Sequence, residues 1–220
     1  MTKPFSPSRR NFLTNGLKLG GGLTALLSGT PALAELCGIT IPQQEGPYYP
    51  EGDLDRDADL VQLKPGGPLA KGTIIRVVGT VTDEDCRAIP DALVEIWQAC
   101  HSGKYNHSED PNSLELDPNF QYWGRARTDQ NGRYEFRSVI PGYYPNTAKT
   151  YRPPHIHFKT HAPGHQSLTT QMYFDPDSFA DPKVAAFVKR WNDYERVPAS
   201  LIISFKSSTG KFDIALKRLV

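Results

Sequence analysis

The 220-residue sequence contains only three cysteines, Cys37, Cys86 and Cys100, and no C-x-x-C pair. The absence of a C-x-x-C pair argues against a thiolate metal site or a dithiol redox motif. Three cysteines allow one intramolecular disulfide and leave one free thiol. Cys86 and Cys100 flank a stretch predicted to be an extended strand, which would hold them too far apart for a bridge. We therefore expect Cys37 to pair with Cys86 or with Cys100.

The sequence also lacks an excess of charge of either sign. Its 25 Lys and Arg residues and 24 Asp and Glu residues give a formal net charge of +1. Four of the bases and none of the acids lie in the first 34 residues, so the rest of the chain carries 21 bases against 24 acids. A nearly neutral, slightly acidic body argues against a nucleic acid partner. With 38% hydrophobic residues and 19 prolines, the composition favours one compact domain with many turns.

No apolar run is long enough to serve as a permanent membrane anchor, because the run from Gly16 to about Gly29 is short and rich in glycine. It follows the basic segment 8–13, Ser-Arg-Arg-Asn-Phe-Leu, and precedes residues 31–34, Pro-Ala-Leu-Ala, an A-x-A cleavage pattern. These features predict a signal peptide of the twin-arginine type over residues 1–34, rather than an ordinary amphipathic helix with two arginines. The mature chain is expected to begin near Glu35, in the periplasm or outside the cell, without a membrane anchor.

Helical periodicity is scarce in the remainder of the chain. Residues 35–70 are rich in Pro, Gly and Asp and have no regular period, which predicts an irregular N-terminal arm. Residues 71–220 contain many short alternating segments and one helical segment near 182–191, which predicts a mainly β domain: an antiparallel β-sandwich with long loops and one short helix. The Asn-Gly turn within 129–132 predicts a hairpin between its flanking strands. Strands are expected at about 73–81, 92–97, 124–128, 134–139, 152–158, 168–174, 201–205 and 211–216.

One segment of this domain carries two histidines at strand spacing, Arg152-Pro-Pro-His-Ile-His-Phe158. On a strand, His155 and His157 share one face, and Ile156 and its apolar neighbour share the other. Same-face neighbours lie about 7 Å apart, so two imidazoles angled toward each other can bind one metal ion. Arg152 lies close enough in sequence to reach the same place. The alternative is a strand with two exposed or hydrogen-bonded histidines.

Part of the domain resembles a non-catalytic module. The patterns G-x-V-x-D, P-x-x-A-x-V-x-I, T-D-x-x-G-x-Y-x-F and P-G-x-Y within residues 79–144 are similar to transthyretin-like and collagen-adhesin-type accessory domains. On these residues alone, an exported β-sandwich module for binding or adhesion, with no catalytic activity, is as good an interpretation as an enzyme. The discriminating feature is a pair of tyrosines, Tyr105 and Tyr144, that precede the two histidines.

A series of short motifs between residues 43 and 174 carries a second resemblance. In order, they are E-G-P-Y-Y, E-I-W-Q-A, G-K-Y, G-R-x-x-T-D-x-x-G-x-Y-x-F, P-G-x-Y-P, R-P-P-H-I-H-F and T-Q-M-Y-F. Their order and spacing resemble the intradiol ring-cleavage dioxygenases, and among them the protocatechuate 3,4-dioxygenase type. The segment before residue 74 has no room for the helical dimerisation domain of the catechol-cleaving branch, which favours the protocatechuate-like branch.

The resemblance implies a mononuclear non-haem Fe(III) site with four ligands, Tyr105, Tyr144, His155 and His157. Phenolate is a hard anionic donor that suits ferric iron, whereas zinc and ferrous sites typically combine histidine with carboxylate or thiolate. A zinc or copper site is the rival interpretation. The resemblance further implies that a catechol-type substrate reacts with O2 and that its ring opens between the two hydroxyl-bearing carbons, which gives a cis,cis-muconate-type diacid.

The resemblance also assigns roles to residues around the metal. Tyr144 matches the ligand that is displaced and becomes a base, and Arg152 matches an arginine that stabilises charge developing on the ring. Gln171 matches a second polar residue of the pocket. The substrate ring is expected to lie against Trp97, Gly46 and Pro47.

Three further expectations concern the surroundings of the site. Tyr144 is preferred over its neighbour Tyr143 because the tyrosine directly before the proline matches the family. In the protocatechuate-like branch two homologous chains share the site, so an oligomer of like or unlike chains is expected. The remaining histidines match no ligand position and are expected on the surface or in loops: His101, His107, His161 and His165.

Overall fold

The computed structural model of the protein describes residues 37–51, 57–146, 150–205 and 207–219. The predicted signal peptide, residues 1–34, lies outside the described residues. The strands are β1 (Ile74–Asp83), β2 (Leu93–Trp97), β3 (Trp123–Arg127), β4 (Arg133–Val139), β5 (Tyr144–Pro145), β6 (Tyr151–Arg152), β7 (His155–His161), β8 (Leu168–Phe174), β9 (Ile202–Ile203), β10 (Thr209–Lys211) and β11 (Ile214–Leu216). The α-helix is α1 (Pro182–Glu195), and two short 3-10 helices span Pro176–Ser178 and Ala199–Leu201.

The strands form a β-sandwich, which confirms the predicted fold class. In the first sheet, β1 pairs antiparallel with β4 and parallel with the short strands β10 and β11. The second sheet has the order β3-β2-β7-β8-β9, and its pairs are antiparallel except for β8 with β9. A separate two-stranded ribbon joins β5 to β6.

The apolar core lies between the two sheets, where alternate residues of each strand meet. Ile156 and Phe158 of β7 are fully buried there. The Phe158 ring lies 4.8 Å from the ring of Phe212 and 6.2 Å from that of Tyr134 on β4, measured between centroids. Burial of one large apolar side chain contributes about 1.5–3 kcal/mol, so this layer supplies much of the driving force for folding.

The predicted hairpin around residues 129–132 is wrong, although the turn itself forms. The Gly132 N–H donates to the Asp129 carbonyl at 2.9 Å, and Gly132 has a φ of +72°. The Asp129 carboxylate accepts 2.8 Å hydrogen bonds from the N–H groups of Asn131 and Arg133. However, β3 pairs with β2 and β4 pairs with β1, so the turn passes the chain from one sheet to the other. The Asn-Gly signal is local, whereas strand pairing depends on distant partners.

The N-terminal arm is tied to the sandwich by a disulfide between Cys37 and Cys86. This bridge is one of the two pairings expected, and it leaves Cys100 as a buried free thiol. Between Cys37 and the start of β1 the described residues contain no strand or helix. Further along the arm, the Gln43 N–H donates to the Thr169 carbonyl of β8 at 2.9 Å. Other parts of the arm bond to the first sheet, where the Thr40 N–H donates to the Ala215 carbonyl of β11 at 3.0 Å, so the arm is held against both sheets.

Helix α1 confirms the helical segment predicted near residues 182–191, and its ends are capped. The Asp181 carboxylate accepts a 2.8 Å hydrogen bond from the Lys183 N–H, and a proline occupies the first helical position. The helix ends at Arg196, which adopts the left-handed conformation with φ 50°. It is about one turn longer than predicted. Among the described residues, no helix combines the length and the apolarity needed to cross a membrane.

Candidate active site

The two histidines of β7 share the face of the second sheet opposite the core, as their spacing predicted. Their Nε2 atoms lie 3.1 Å apart. Both side chains are almost completely buried, although they do not belong to the apolar core between the sheets. Since Ile156 and Phe158 point into that core, the strand period of two turns His155 and His157 away from it.

Hydrogen bonding fixes the tautomer of the first histidine. The Nδ1 atom of His155 lies 2.7 Å from the Pro153 carbonyl oxygen, which can only accept, so Nδ1 carries the proton. The Nε2 atom of His155 is therefore left with a free lone pair. The ring of His157 stacks on Trp97 with centroids 4.7 Å apart and planes 9° apart. The Pro153 contact orients the His155 ring and the Trp97 contact orients the His157 ring, so the two Nε2 atoms are held close together.

Both histidines are neutral at ordinary pH. Burial, assisted by the positive charge of Arg152, lowers the pKa of His155 to about 3. Burial also lowers the pKa of His157, and its neighbours His155 and Arg152 act in the same direction. A neutral imidazole is the form that binds metal ions.

Two buried tyrosines complete this cluster. Tyr105 lies in the loop after β2, and Tyr144 lies on β5, paired with Arg152 of β6. The two phenol rings are 5.4 Å apart and perpendicular; the Tyr144 ring is 5.8 Å from that of His155, and the Tyr105 ring is 6.4 Å from that of His157. Burial raises the pKa of both phenols, that of Tyr144 to about 12.

The neighbouring residue Tyr143 does not join the cluster. Its side chain is half exposed, and its ring packs against the rings of Tyr151 and Phe187. Tyr144 is instead buried beside His155 and Tyr105. Of the two adjacent tyrosines, Tyr144 is therefore the one placed to act with the histidines.

The donor atoms of the cluster suit a hard, highly charged metal ion. They are two imidazole nitrogens and two phenol oxygens, Nε2 of His155 and His157 and Oη of Tyr105 and Tyr144. The Tyr105 hydroxyl is fully buried; the Tyr144 hydroxyl lies close enough to shift its pKa, but no hydrogen bond of normal geometry reaches it from the described residues. An unpaired buried hydroxyl is costly unless something unseen satisfies it, and a bound cation would do so. No group of three His, Cys, Asp or Glu residues suitable for a metal occurs in the described part of the chain.

Arg152 is held beside the cluster by a second group of side chains. Its Nη2 donates to the Gln171 Oε1 at 2.7 Å, and its guanidinium lies 5.0 Å above the Trp191 ring of α1. Gln171 faces His157 across the β7–β8 pair, and Tyr173 likewise faces His155. The Tyr173 hydroxyl donates to the same Gln171 oxygen at 2.9 Å. This network fixes the positive charge of Arg152 next to the histidines.

A cleft of about 490 Å³ opens beside this network. It is lined by Pro42, Gln43, Gln44, Arg152, Gln171, Tyr173, Trp191, Glu195, Val197 and Pro198. Its size falls within the roughly 300–1,000 Å³ typical of small-molecule sites. The arm forms one wall, where the Gln44 carbonyl accepts a 2.7 Å hydrogen bond from the Gln171 side chain. The cleft gives a small molecule access to Arg152 and Gln171.

The residues predicted to contact a substrate ring lie around His157. Trp97 is buried and stacks on the His157 ring. Gly46 has a φ of +73°, and a Cβ atom there would lie 3.5 Å from the His157 Cε1 atom. Pro47 follows Gly46 in the arm and is exposed. The arm segment therefore passes directly over the histidine face of the sheet.

Three aromatic residues at the site were missed by the sequence reasoning. The Tyr48 ring lies 4.6 Å from the Tyr105 ring, and Trp191 stacks on Tyr173 at 5.5 Å. Tyr48 and Tyr173 lie inside motifs that were recognised, E-G-P-Y-Y and T-Q-M-Y-F, so a closer reading could have found them. Trp191 lies in a helix about 20 residues beyond the last motif, and no local pattern connects it to the site.

The other histidines lie apart from the Nε2 pair and are partly exposed, and each has a neighbour of its own. The nearest polar atoms are an Asp117 carboxylate oxygen at 3.8 Å for His101, the Tyr49 carbonyl at 3.1 Å for His107, the Ser167 hydroxyl at 2.7 Å for His161 and the Pro163 carbonyl at 2.9 Å for His165.

Comparisons with known proteins agree with this geometry. The sequence model of a family described as dioxygenase matches residues 44–217. The protocatechuate 3,4-dioxygenase beta chain of Burkholderia cepacia is 44% identical over 129 residues, which cover 57% of this chain and 54% of that protein. Catechol 1,2-dioxygenase 2 of Acinetobacter lwoffii is 33% identical over 180 residues, which cover 76% of this chain and 62% of that protein. The chain thus spans less than two thirds of the length of either relative.

A solved structure shares the fold. The dioxygenase domain of a dioxygenase carbohydrate-binding protein fusion from the cellulolytic bacterium Streptomyces sp. SirexAA-E matches with a TM-score of 0.61 and 26% identity. The match covers 83% of this chain and 100% of that chain. The similarity therefore extends over nearly all of the described sandwich.

Proposed function

The chain belongs to the intradiol ring-cleavage dioxygenase family, and on that premise we propose that it opens the ring of a catechol-type substrate between the two hydroxyl-bearing carbons. In this reaction both atoms of O2 enter the product, a cis,cis-muconate-type diacid, so no further reductant is needed. The observation that carries the proposal is the meeting of two imidazole Nε2 atoms, 3.1 Å apart, with two buried tyrosine rings.

We propose that the resident metal is a mononuclear non-haem Fe(III), held by the four residues Tyr105, Tyr144, His155 and His157. The support is the donor set, since phenolate oxygens favour a ferric ion over zinc, together with the unpartnered Tyr105 hydroxyl. A ferric ion held by these residues would supply Lewis-acid chemistry, since it would draw electron density from a bound catechol and make the ring reactive toward O2.

The side chains of the site have distinct roles in this proposal. Tyr144, acting as a phenolate, would take up one of the two catechol protons, and a hydroxide ion would take up the other, so that the substrate binds as a dianion. The guanidinium of Arg152 stabilises the negative charge that develops on the ring, and it costs little reorganisation because Gln171 and Trp191 already hold it in place. Gln171 acts through Arg152 and is a positioning residue.

The substrate ring is proposed to lie between the arm and the histidine face of the second sheet, with Trp97, Gly46 and Pro47 around it. The close approach of Gly46 to His157 supports this placement, because a side chain at Gly46 would extend over the His157 ring. The positive φ of Gly46 also favours glycine over other residues.

Ferric titration tests the metal proposal directly. The purified protein is expected to take up one ferric ion per chain and to develop the visible tyrosinate-to-iron charge-transfer band of a burgundy protein. Tyr105→Phe removes one phenolate donor and should abolish or strongly shift the band. Tyr134→Phe is the matched control, because Tyr134 is an equally buried tyrosine in the core between the sheets. A protein that stays colourless after ferric reconstitution would favour the non-catalytic binding module.

We also propose that the protein is exported by the twin-arginine route and acts in the periplasm or outside the cell. The Cys37–Cys86 disulfide supports this placement, since such bonds persist in oxidising compartments. Replacing Arg9 and Arg10 with lysine should trap the protein in the cytoplasm, as measured by cell fractionation. The expected oligomer is also a proposal, and light scattering of the purified protein measures its state.

A further inference from the structure

The cleft beside Arg152 carries one charge deep inside and the opposite charge at its rim. The Nε atom of Arg152 is fully buried, and its guanidinium is bound to Gln171 next to the histidines. Glu195 lies at the last position of α1 and is exposed. Among the described residues that line the cleft, these two are the ones with a formal charge. A small molecule in the cleft therefore meets a cation at the inner end and an anion at the mouth.

The end of α1 is fixed, so Glu195 is held at the rim. The buried Asn192 side chain donates to the Phe174 carbonyl at the end of β8 at 3.4 Å. The Asn192 carbonyl in turn accepts a 3.0 Å hydrogen bond from the Val197 N–H, which closes the helix end. Trp191, one turn before Glu195, stacks on Tyr173 of β8. These contacts anchor the final turn of the helix to the strand that carries Gln171.

We propose that Glu195 is a specificity residue that makes the cleft select catechols with a cationic or neutral ring substituent and reject those with a carboxylate. The inference rests on the proposed function, because it takes the catechol ring to lie over the histidine face beside Gly46, outside the cleft, with Arg152 between the ring and the cleft. A substituent on the side of the ring that faces the cleft then points toward the rim. There the substituent lies near the Glu195 carboxylate, while Arg152 interacts with the opposite end of the substrate.

The charge on the substituent decides the direction of the effect. A carboxylate near Glu195 is repelled, whereas an ammonium group is attracted and forms a charge-assisted hydrogen bond. Because Glu195 is exposed, water and salt weaken both interactions, and we expect about a tenfold change in affinity for each unit of substituent charge. Burial raises the pKa of Tyr173 on the cleft wall, and the negative charge of Glu195 acts in the same direction to a smaller extent.

Three catechols that differ in substituent charge test the inference: 3,4-dihydroxybenzoate, 4-methylcatechol and 3,4-dihydroxyphenethylamine. Their affinities are measured by calorimetry under argon with the iron-reconstituted protein, so that no turnover occurs. Oxygen uptake with each compound is measured separately. The variants are Glu195→Gln and Glu195→Lys. Asp193→Lys is the matched control, since Asp193 lies on the same helix but pairs with Lys189 and does not line the cleft.

The wild-type protein should bind the amine most tightly and the benzoate most weakly. The amine and the benzoate differ by two units of charge, so Glu195→Gln should reduce the spread of affinities about a hundredfold. Glu195→Lys should reverse the order, while Asp193→Lys keeps it. An unchanged order in Glu195→Lys, or an equal effect of Asp193→Lys, would overturn the inference. The expected order of affinities without any oxygen uptake would contradict the proposed function and leave the charge selection standing.

Discussion

The two faces of strand β7 differ in how completely their side chains are satisfied. On the inward face, Ile156 and Phe158 are fully buried in the apolar core. On the outward face, His155 and His157 are equally buried, but the Nδ1 of His157 and the hydroxyl of nearby Tyr105 lack partners among the described residues. The inward face is arranged for stability, and the outward face is arranged to bind something that is not part of the chain. Four substitutions test this difference between the faces through their effects on stability.

The largest effect on stability is expected from the inward face. Phe158→Ala removes a fully buried ring from the contact with Phe212 and should cost about 3–5 kcal/mol of unfolding free energy. Chemical denaturation of the metal-free protein measures this loss. Ile156→Val is the mild control and should cost about 0.5–1.5 kcal/mol. A cost below 1 kcal/mol for Phe158→Ala would show that the inward face is not the main support of the fold.

The next effect concerns the arm that covers the outward face. Cys86→Ser breaks the disulfide with Cys37 and should cost about 2–4 kcal/mol, because the unfolded chain gains freedom. Loss of this tie should also make the Gln43 N–H exchange faster with solvent. Cys100→Ser removes the free thiol and is the control, which should leave that exchange unchanged. Equal exchange rates in Cys86→Ser and wild type would show that the arm does not depend on the bridge.

A smaller effect of opposite sign is expected on the outward face. Tyr105→Phe deletes a buried hydroxyl that has no partner, so the metal-free protein should be equally stable or more stable by about 1 kcal/mol. The visible iron band of the same variant should be abolished or strongly shifted. Tyr122→Phe offers a comparison, because the Tyr122 hydroxyl accepts a 2.6 Å hydrogen bond from the Asp117 N–H and its loss should destabilise. A large destabilisation by Tyr105→Phe would contradict the contrast between the faces.

The smallest effect is expected at the surface of the first sheet. Arg76 and Glu135 form a 2.7 Å ion pair on β1 and β4, with both side chains about half exposed. Glu135→Gln should change the unfolding free energy by about 0.5 kcal/mol or less, since exposed ion pairs are screened by water and salt. Thermal denaturation at low and high salt measures it. A cost above about 2 kcal/mol would contradict the expectation that an exposed ion pair contributes little to stability.

Local patterns in the sequence were enough to predict much of the fold and the site. The period of two in β7 placed both histidines on one face, and the helical segment near residues 182–191 located α1, although the helix extends about one turn further. Pairing between distant strands could not be predicted, which is why the turn at residues 129–132 was taken for a hairpin. Trp191 and Glu195 were missed for the same reason, because only the packing of α1 against β8 brings them to the cleft.

The central claim, intradiol cleavage at this site, is tested most directly by the products formed from catechol and O2. The iron-reconstituted protein should consume one O2 per catechol and release a cis,cis-muconate-type diacid, identified by its ultraviolet spectrum and mass. Arg152→Lys keeps the charge but loses the planar fork that Gln171 and Trp191 hold, and it should lower the rate about a hundredfold. A product whose ring has opened beside the two hydroxyl-bearing carbons, and not between them, would contradict the claim. The absence of oxygen uptake by a protein that has bound iron would contradict it as well.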